Sequence, residues 1–449
     1  MDNKTLFSKT PPTRLFLMAA LPGAIGMLAS ALYQMMDGVF VGRLLGENAF
    51  AALNLAMPFV IINFALADLI GVGSAVPISI RLGEKRDDDA NNIFTCACLL
   101  IVGAGVVTGA VIYAAAPFMI SMMGADAELA ELAVQYLRVY ALCSPVTTII
   151  FAVDNYLRIC GKIRRSMLLN VFMSAFSVVV EFLFLYVFRW GIWGAALATC
   201  SVMGACAVVA LYPFFRGRMP LRFRRPKFSA LILRQIVSCG APSFLNNIAG
   251  RITSILMNAV LLRMGGSEAV SVYGILMMAD GFVQPLLYGM CDSLQPAVGY
   301  NWGAGEYGRV KAIEKRCFLA SAILSVAAAA VIFLFPKPLA GLFMQDADAA
   351  FYEMAVPALM LFSLTYITRW ISFATQSLMS AIEKPIQASM ISLSTALVFP
   401  LLFIAVLWPM GLNGLWLNLP ATALLAALLS LGILLHLRRF LQKKQKTAE

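Results

Sequence analysis

Long apolar runs alternate with short polar or Gly/Pro-containing breaks along the whole chain, and they predict helices that cross a membrane. The runs fall at 15–42, 50–80, 93–115, 129–157, 167–188 and 191–213. A second set follows at 231–262, 269–300, 316–336, 351–380, 387–408 and 415–437. Each matches or exceeds the ~20 apolar residues that a bilayer core requires. The longer runs imply tilt, or helix extending past the lipid. The pattern predicts an all-α, polytopic membrane protein with about twelve transmembrane helices.

Composition agrees, because 61% of the 449 residues are hydrophobic and only 13% are charged, too few to clothe a water-soluble surface at the usual ~25%. Nine cysteines are scattered through the apolar runs with no CxxC pair, and His436 is the one histidine. Neither a disulfide framework nor a zinc site is expected, and no cofactor is called for.

Charge fixes an orientation. With the N-terminus placed in the cytoplasm, 27 of the 34 Lys and Arg residues fall in inner loops and termini, and five (Arg43, Arg138, Arg189, Arg263 and Lys337) fall outside. That asymmetry is what the positive-inside rule demands, and it places both termini in the cytoplasm. It also accounts for the net charge of +11 through anionic lipid, without a nucleic acid partner.

The richest basic stretch, 214–230, divides the chain into six-span halves at 1–213 and 231–437, with a basic tail at 438–449. Shifting the first half by 220 residues brings Pro22 onto Pro242, Arg43 onto Arg263, Gly46 onto Gly266 and Gly83 onto Gly303. An even number of spans per half gives the repeats the same orientation, related by an axis along the membrane normal, with a cleft between two lobes.

Charged residues inside the spans point to chemistry, since each costs about 2.5–3.5 kcal/mol to insert. Asp37 lies deep in the first run, one turn from Tyr33, and Pro22 is expected to bend that helix. Asn170, Ser174, Ser177 and Glu181 recur at spacings of four, three and four, which places them on one helical stripe. The serines alone read as polar packing between helices. With Glu181 included, the stripe reads as a place to take up a proton or cation. The second half carries Arg251 and Arg369 on comparable stripes, and Asp280 and Asp292 are their natural counter-ions. Arg251 is expected to pair with one of those two acids, because an unpaired buried charge is destabilising. Tyr33, Gln34, Met35, Asn63, Met277, Asp280 and Tyr288 are candidates to line a substrate cavity, where methionine adapts to varied shapes.

Three segments resemble the MATE (multidrug and toxic compound extrusion) transporters, most closely their MepA-like bacterial branch. They are QPAVGYNWGAGEYGRV (295–310), LRICGKIRR (157–165) and GIWGAALAT (191–199). The resemblance implies the MATE/MOP-type fold of two six-helix lobes related by a pseudo-twofold axis. It also implies a plasma-membrane antiporter, monomeric, that exports amphipathic and often cationic compounds against H+ or Na+. Asp37, Asp154, Ser177, Glu181 and Thr199 match the family's amino-lobe cation site, with Na+ a candidate ligand of Asp37 and Glu181, and Pro22 matches its helix bend. Glu181 stands where many members have Asp, and Ser177 where many have Asn. Gly250 and Phe373 occupy the positions of carboxy-lobe acids found in some members, so a second site there is not expected. The rival readings are a flippase for a lipid-linked precursor, favoured by a basic groove, and a membrane-embedded lipid enzyme. The enzyme is disfavoured because no DDxxD-like cluster lies within a span and no histidine pair is present.

Overall fold

The computed structural model describes residues 3–124, 126–343 and 349–448, and no strand occurs among the described residues. In the first half, a short α1 (Asn3–Lys9) precedes α2 (Pro12–Phe40), which continues into a π-helical turn, Val41–Leu45. Then come α3 (Glu47–Gly83), α4 (Asp87–Ser121) and α5 (Ala127–Ile159). Next is α6 (Ile163–Phe182), with its own π-helical turn at Leu183–Val187, and α7 (Ile192–Phe215). The second half holds α8 (Ala230–Asp292), α9 (Gln295–Gly303), α10 (Tyr307–Leu334) and α11 (Pro336–Phe343). After these come α12 (Ala349–Ser363), α13 (Thr365–Ala381), α14 (Pro385–Leu393), α15 (Phe399–Leu407) and α16 (Gly411–Ala448).

Among the described residues, nine continuous helical stretches are long and apolar enough to cross a bilayer, and Phe351–Ser363 with Thr365–Ala381, bent by 42°, makes a tenth. Two of the nine are double. Ala230–Gly303 has 74 residues and Pro385–Arg439 has 55, against the ~20 that one crossing takes. Each is broken by a glycine in a backbone conformation that side chains resist: Gly266 at φ 66°, ψ −160° and Gly411 at φ 65°, ψ −145°. Counted this way, the runs give the twelve crossings expected from the apolar pattern.

The basic stretch between the halves lies along α4 rather than hanging free. The backbone amides of Arg222 and Lys227 donate to Asn91 Oδ1 and Asn92 Oδ1 at 2.7 and 2.8 Å, and Phe223 packs on Phe94. Side chains of α4 thus replace the hydrogen bonds that an extended segment lacks.

The two halves meet in a seam near the ends of the helices that carry the basic loops. There α2 crosses α8 at Gly23 and Gly289, and α3 crosses α8 at Gly73 and Gly240. A Cβ on Gly73 would strike the backbone of Ile236 and Gly240, so backbone-to-backbone contact depends on the missing side chain. The large apolar core on this side draws on both halves. Toward the opposite face the apolar clusters are separate, one built from residues of 41–200 and the other from 257–416. The molecule is joined on its basic side and parted on the other.

Candidate functional site

α2 and α6 lie side by side, and Gly26 of α2 lets the Asn170 side chain of α6 sit against its backbone. From that contact both helices run away from the basic face until Asp37 and Glu181 meet. Glu181 is fully buried and Asp37 is 8% exposed. The stripe of Ser174, Ser177 and Glu181 turns inward as its spacing requires, and all three are buried. Tyr33 and Thr199 of α7 share a 2.6 Å hydroxyl–hydroxyl hydrogen bond, and Tyr33 stands beside Ser177 and Glu181.

Among the described residues, three carboxyl oxygens here, both of Glu181 and Oδ1 of Asp37, accept no hydrogen bond of ordinary length and angle, and Ser174 Oγ is likewise unpartnered. No arginine or lysine forms an ion pair with either acid among the described residues. Both helices pass into their π-helical turns within a few residues of the acids, at Val41–Leu45 and Leu183–Val187. Such turns leave the helical ladder locally loosened and are frequent at functional positions. Carboxylate, hydroxyl and phenol oxygens are the donors that a hard cation takes, and a proton would serve the carboxyls equally.

Asp154 is not part of this group. Arg158 holds its Oδ2 at 2.6 Å, and Ser166 and Asn170 donate to Oδ1 at 2.5 and 2.9 Å. Asn170 precedes Glu181 by about 16 Å of helix, so Asp154 sits toward the basic face. There Arg158 also reaches Ser293 of the other half at 3.3 Å. Asn63 leaves the cavity candidates as well: it is buried inside the first half and accepts a hydrogen bond from Ser144 at 2.8 Å.

The second half corrects the expected pairing. Asp280 is taken by Arg369 at 2.7 Å, and the Tyr366 hydroxyl donates to the same oxygen at 2.5 Å. Arg251 is exposed and forms no ion pair among the described residues. The bend between α12 and α13 carries Tyr366 and Arg369 to Asp280, whereas Arg251 lies on the other arm of α8. Asp292 accepts from Gln295 and Ser377 at 2.9 and 3.0 Å, and Asp68 accepts from Asn247 across the seam at 3.3 Å. Tyr288 is half-buried, with its ring against Phe373 and its hydroxyl accepting from Asn246. Met277 packs at the edge of the second half's cluster, Gln34 is exposed, and Met35 abuts Gly281 of the other half.

Sequence reasoning missed Tyr136, buried beside Asp37, and Tyr140 one turn further along α5. Their spacing of four was the available signal. It also missed Tyr366, which lies three residues before Arg369 and so shares its face.

The MatE family model matches residues 22–186 and, a second time, residues 242–406. The chain belongs to the MatE family. Both matched stretches are offset by the same 220 residues at which Pro22 meets Pro242, so the repeat seen in the punctuation residues is the family's own. A curated relative, the multidrug export protein MepA of Staphylococcus aureus (strain NCTC 8325 / PS 47), is 26% identical over 404 residues, covering 89% of this chain and 88% of that protein. A crystal structure of MATE in complex with MaL6 superposes with a TM-score of 0.92 at 24% identity, covering 99% of this chain and 100% of that one. The outward-facing conformation of a multidrug resistance MATE family transporter of the MOP superfamily gives 0.92 at 24%, with 99% of each chain covered. These MatE structures share the fold with this chain over nearly its full length.

Proposed function

We propose that this chain is a secondary active antiporter that exports amphipathic, often cationic, drug-like compounds in exchange for H+ or Na+ by alternating access. The observation that carries the reading is the Asp37–Glu181 pair, two carboxyls buried together with no ion-paired Arg or Lys among the described residues. Asp154, Asp280 and Asp292, by contrast, are each held by named donors. Like charges out of water are disfavoured, so the pair calls for a positive charge. Tyr33, Ser177 and Thr199 surround it with neutral oxygens. Family membership and the named role of the S. aureus relative support export as the use of that charge.

In this reading the basic face is cytoplasmic and both termini lie there, in a bacterial inner membrane. The moving lobes are 1–213 and 231–437, joined by 214–230, and the protein works as a monomer. The present shape is the outward-open one, sealed on the cytoplasmic side by the glycine seam. A cation entering from outside neutralises Asp37 and Glu181, α2 bends at Pro22, and cargo in the cleft near Gln34 and Met35 is released. Uptake of one excludes the other, which supplies the difference in affinity that any ligand needs to shift a conformational equilibrium. Asp154 acts at one remove, fixing Arg158 beneath the seam.

The test is dye transport by the reconstituted protein, driven separately by a proton gradient and by a sodium gradient. Wild type should respond to at least one gradient, and Asp37→Asn and Glu181→Gln should lose that response. Normal gradient-driven export by both variants would overturn the assignment. A flippase for a lipid-linked precursor is the second reading, favoured by one observation, the exposed Arg251, which forms no ion pair among the described residues. Arg369, already neutralised by Asp280, adds nothing to it.

A further inference from the structure

We propose that the basic face carries a binding site for the phosphate headgroup of an anionic phospholipid, set between the start of α2 and the turn joining α5 to α6. A cavity of about 380 Å3 opens there, and four cationic side chains line it: Arg14, Lys162, Arg164 and Arg165. Among the described residues no acid lines it, and its apolar wall includes Leu6 and Met18. None of the four cations forms an ion pair or a side-chain hydrogen bond among the described residues. The carboxylate on this part of α5, Asp154, is already neutralised by Arg158 at 2.6 Å. Four charges around one concavity, none ion-paired among the described residues, repel each other, and an anion between them relieves that repulsion. Arginine forks match phosphate oxygens in geometry as well as in sign.

What favours a lipid over a free anion is the surface that leads away from the cavity. On α2, Arg14 is followed at spacings of three, four and four by Leu17, Leu21 and Ile25, which are 48%, 56% and 50% exposed. On α6, Arg164 is followed at spacings of four by Leu168, Phe172 and Phe176, which are 59%, 58% and 41% exposed. Those two helices pack together, and Phe172 and Phe176 stack with ring centroids 5.3 Å apart. Each stripe begins with a cation at the basic face and continues as exposed apolar surface into the membrane. A headgroup in the cavity would therefore lay its acyl chains along α2 and α6. These are the two helices that carry Asp37 and Glu181, so a bound lipid would clamp the pair from outside. The binding claim stands whether or not the export reading does, since it is measured without transport.

The experiment uses the full chain purified in a neutral detergent. Binding of phosphatidylglycerol, phosphatidylcholine and inorganic phosphate is followed by native mass spectrometry and by thermal stabilisation. Phosphatidylglycerol should bind and stabilise, while phosphatidylcholine and phosphate should not. Each basic contact near an anionic headgroup is worth roughly fivefold, so the triple variant R14Q/K162Q/R165Q should weaken phosphatidylglycerol binding on the order of a hundredfold. The control R222Q/R224Q, in the extended basic segment, should leave it unchanged. Because the triple variant removes three charges at once, Leu168→Ser with Phe172→Ser serves as an independent arm that keeps every cation and should still weaken lipid binding. Equal loss in the control would reduce the effect to general surface charge and overturn the site. Phosphate binding as strong as the lipid's would make it a free-anion site, which also overturns the proposal.

Discussion

Replacing Glu181 with glutamine keeps the size of the side chain and removes its charge, so it separates what the acid contributes to folding from what it would contribute to the proposed exchange. Among the described residues, both Glu181 oxygens are buried without a hydrogen bond of ordinary length and angle, although the Tyr33 hydroxyl stands beside them, and Asp37 Oδ1 is likewise unpartnered. An amide at this position donates to Asp37, and a hydrogen bond to a charged group contributes about 1.5–3 kcal/mol. It also removes one of two like charges held out of water, a term of several kcal/mol per ion even after relaxation. Against this, one amide group left imperfectly satisfied costs about 1–3 kcal/mol. The two hydrogen-bond terms nearly cancel, so the balance favours the variant by roughly the charge term, several kcal/mol, or a rise in apparent Tm on the order of several degrees. The assay is thermal unfolding of detergent-purified protein at mildly alkaline pH and without sodium. A parallel scan in mild acid should narrow the gain, because the wild-type carboxyls can then take up protons. The same variant should lose gradient-driven export, so stability and function move in opposite directions. A variant less stable than wild type yet fully active would show that Glu181 is a well-solvated packing residue, and the reasoning would fail.

Two further outcomes follow from the rest of the structure. Breaking the Asp280–Arg369 pair from one side, by Asp280→Asn or Arg369→Met, should destabilise the fold by about 3–5 kcal/mol; the double variant should lose much less than the sum, and additive losses in a double-mutant cycle would mean that the pair is not coupled. Gly73→Val should pry α3 from α8 at the seam and favour a form open on the basic side, read as faster labelling of a cysteine placed at Ser79 in a cysteine-free background; unchanged labelling of a folded variant would remove the seam's role as a gate.

How much of this was legible beforehand depended on whether a feature is set by one helix or by several. Asp37 and the Ser174–Ser177–Glu181 stripe were readable because helical periodicity and the penalty for charge in lipid both act within a single segment. The twelve crossings were readable for the same reason, although Gly266 and Gly411 hide two of the reversals inside runs of unbroken helix. The partner of Asp280 was not readable, because Arg251 and Arg369 are equally suited to it by charge. Only the bend between α12 and α13 decides which one arrives. Asp154 illustrates the same limit from the other side. It stands four residues before Arg158, a spacing that brings side chains together on any helix. That local pair settles its fate ahead of any distant acid.

The two halves share a scaffold but not a chemistry. Shifted by the repeat interval, Asp37 falls on Met257, buried in the second half's core, and Glu181 falls on Leu401, which is 36% exposed. The second half instead holds a closed ion pair, Asp280 with Arg369, whose guanidinium also lies 5.0 Å from the centre of the Phe373 ring. A cation entering that half would meet Arg369 rather than a free carboxylate, and displacing it would leave a buried charge without its partner. In the first half the same cation relieves a repulsion already present. In the proposed antiporter the energetic response to a proton or Na+ would therefore be concentrated in α2 and α6, with the second half as the stiff wall against which they would move. A symmetric fold thus becomes a one-sided device through the identity of a few buried side chains, with no need for the two lobes to differ in architecture.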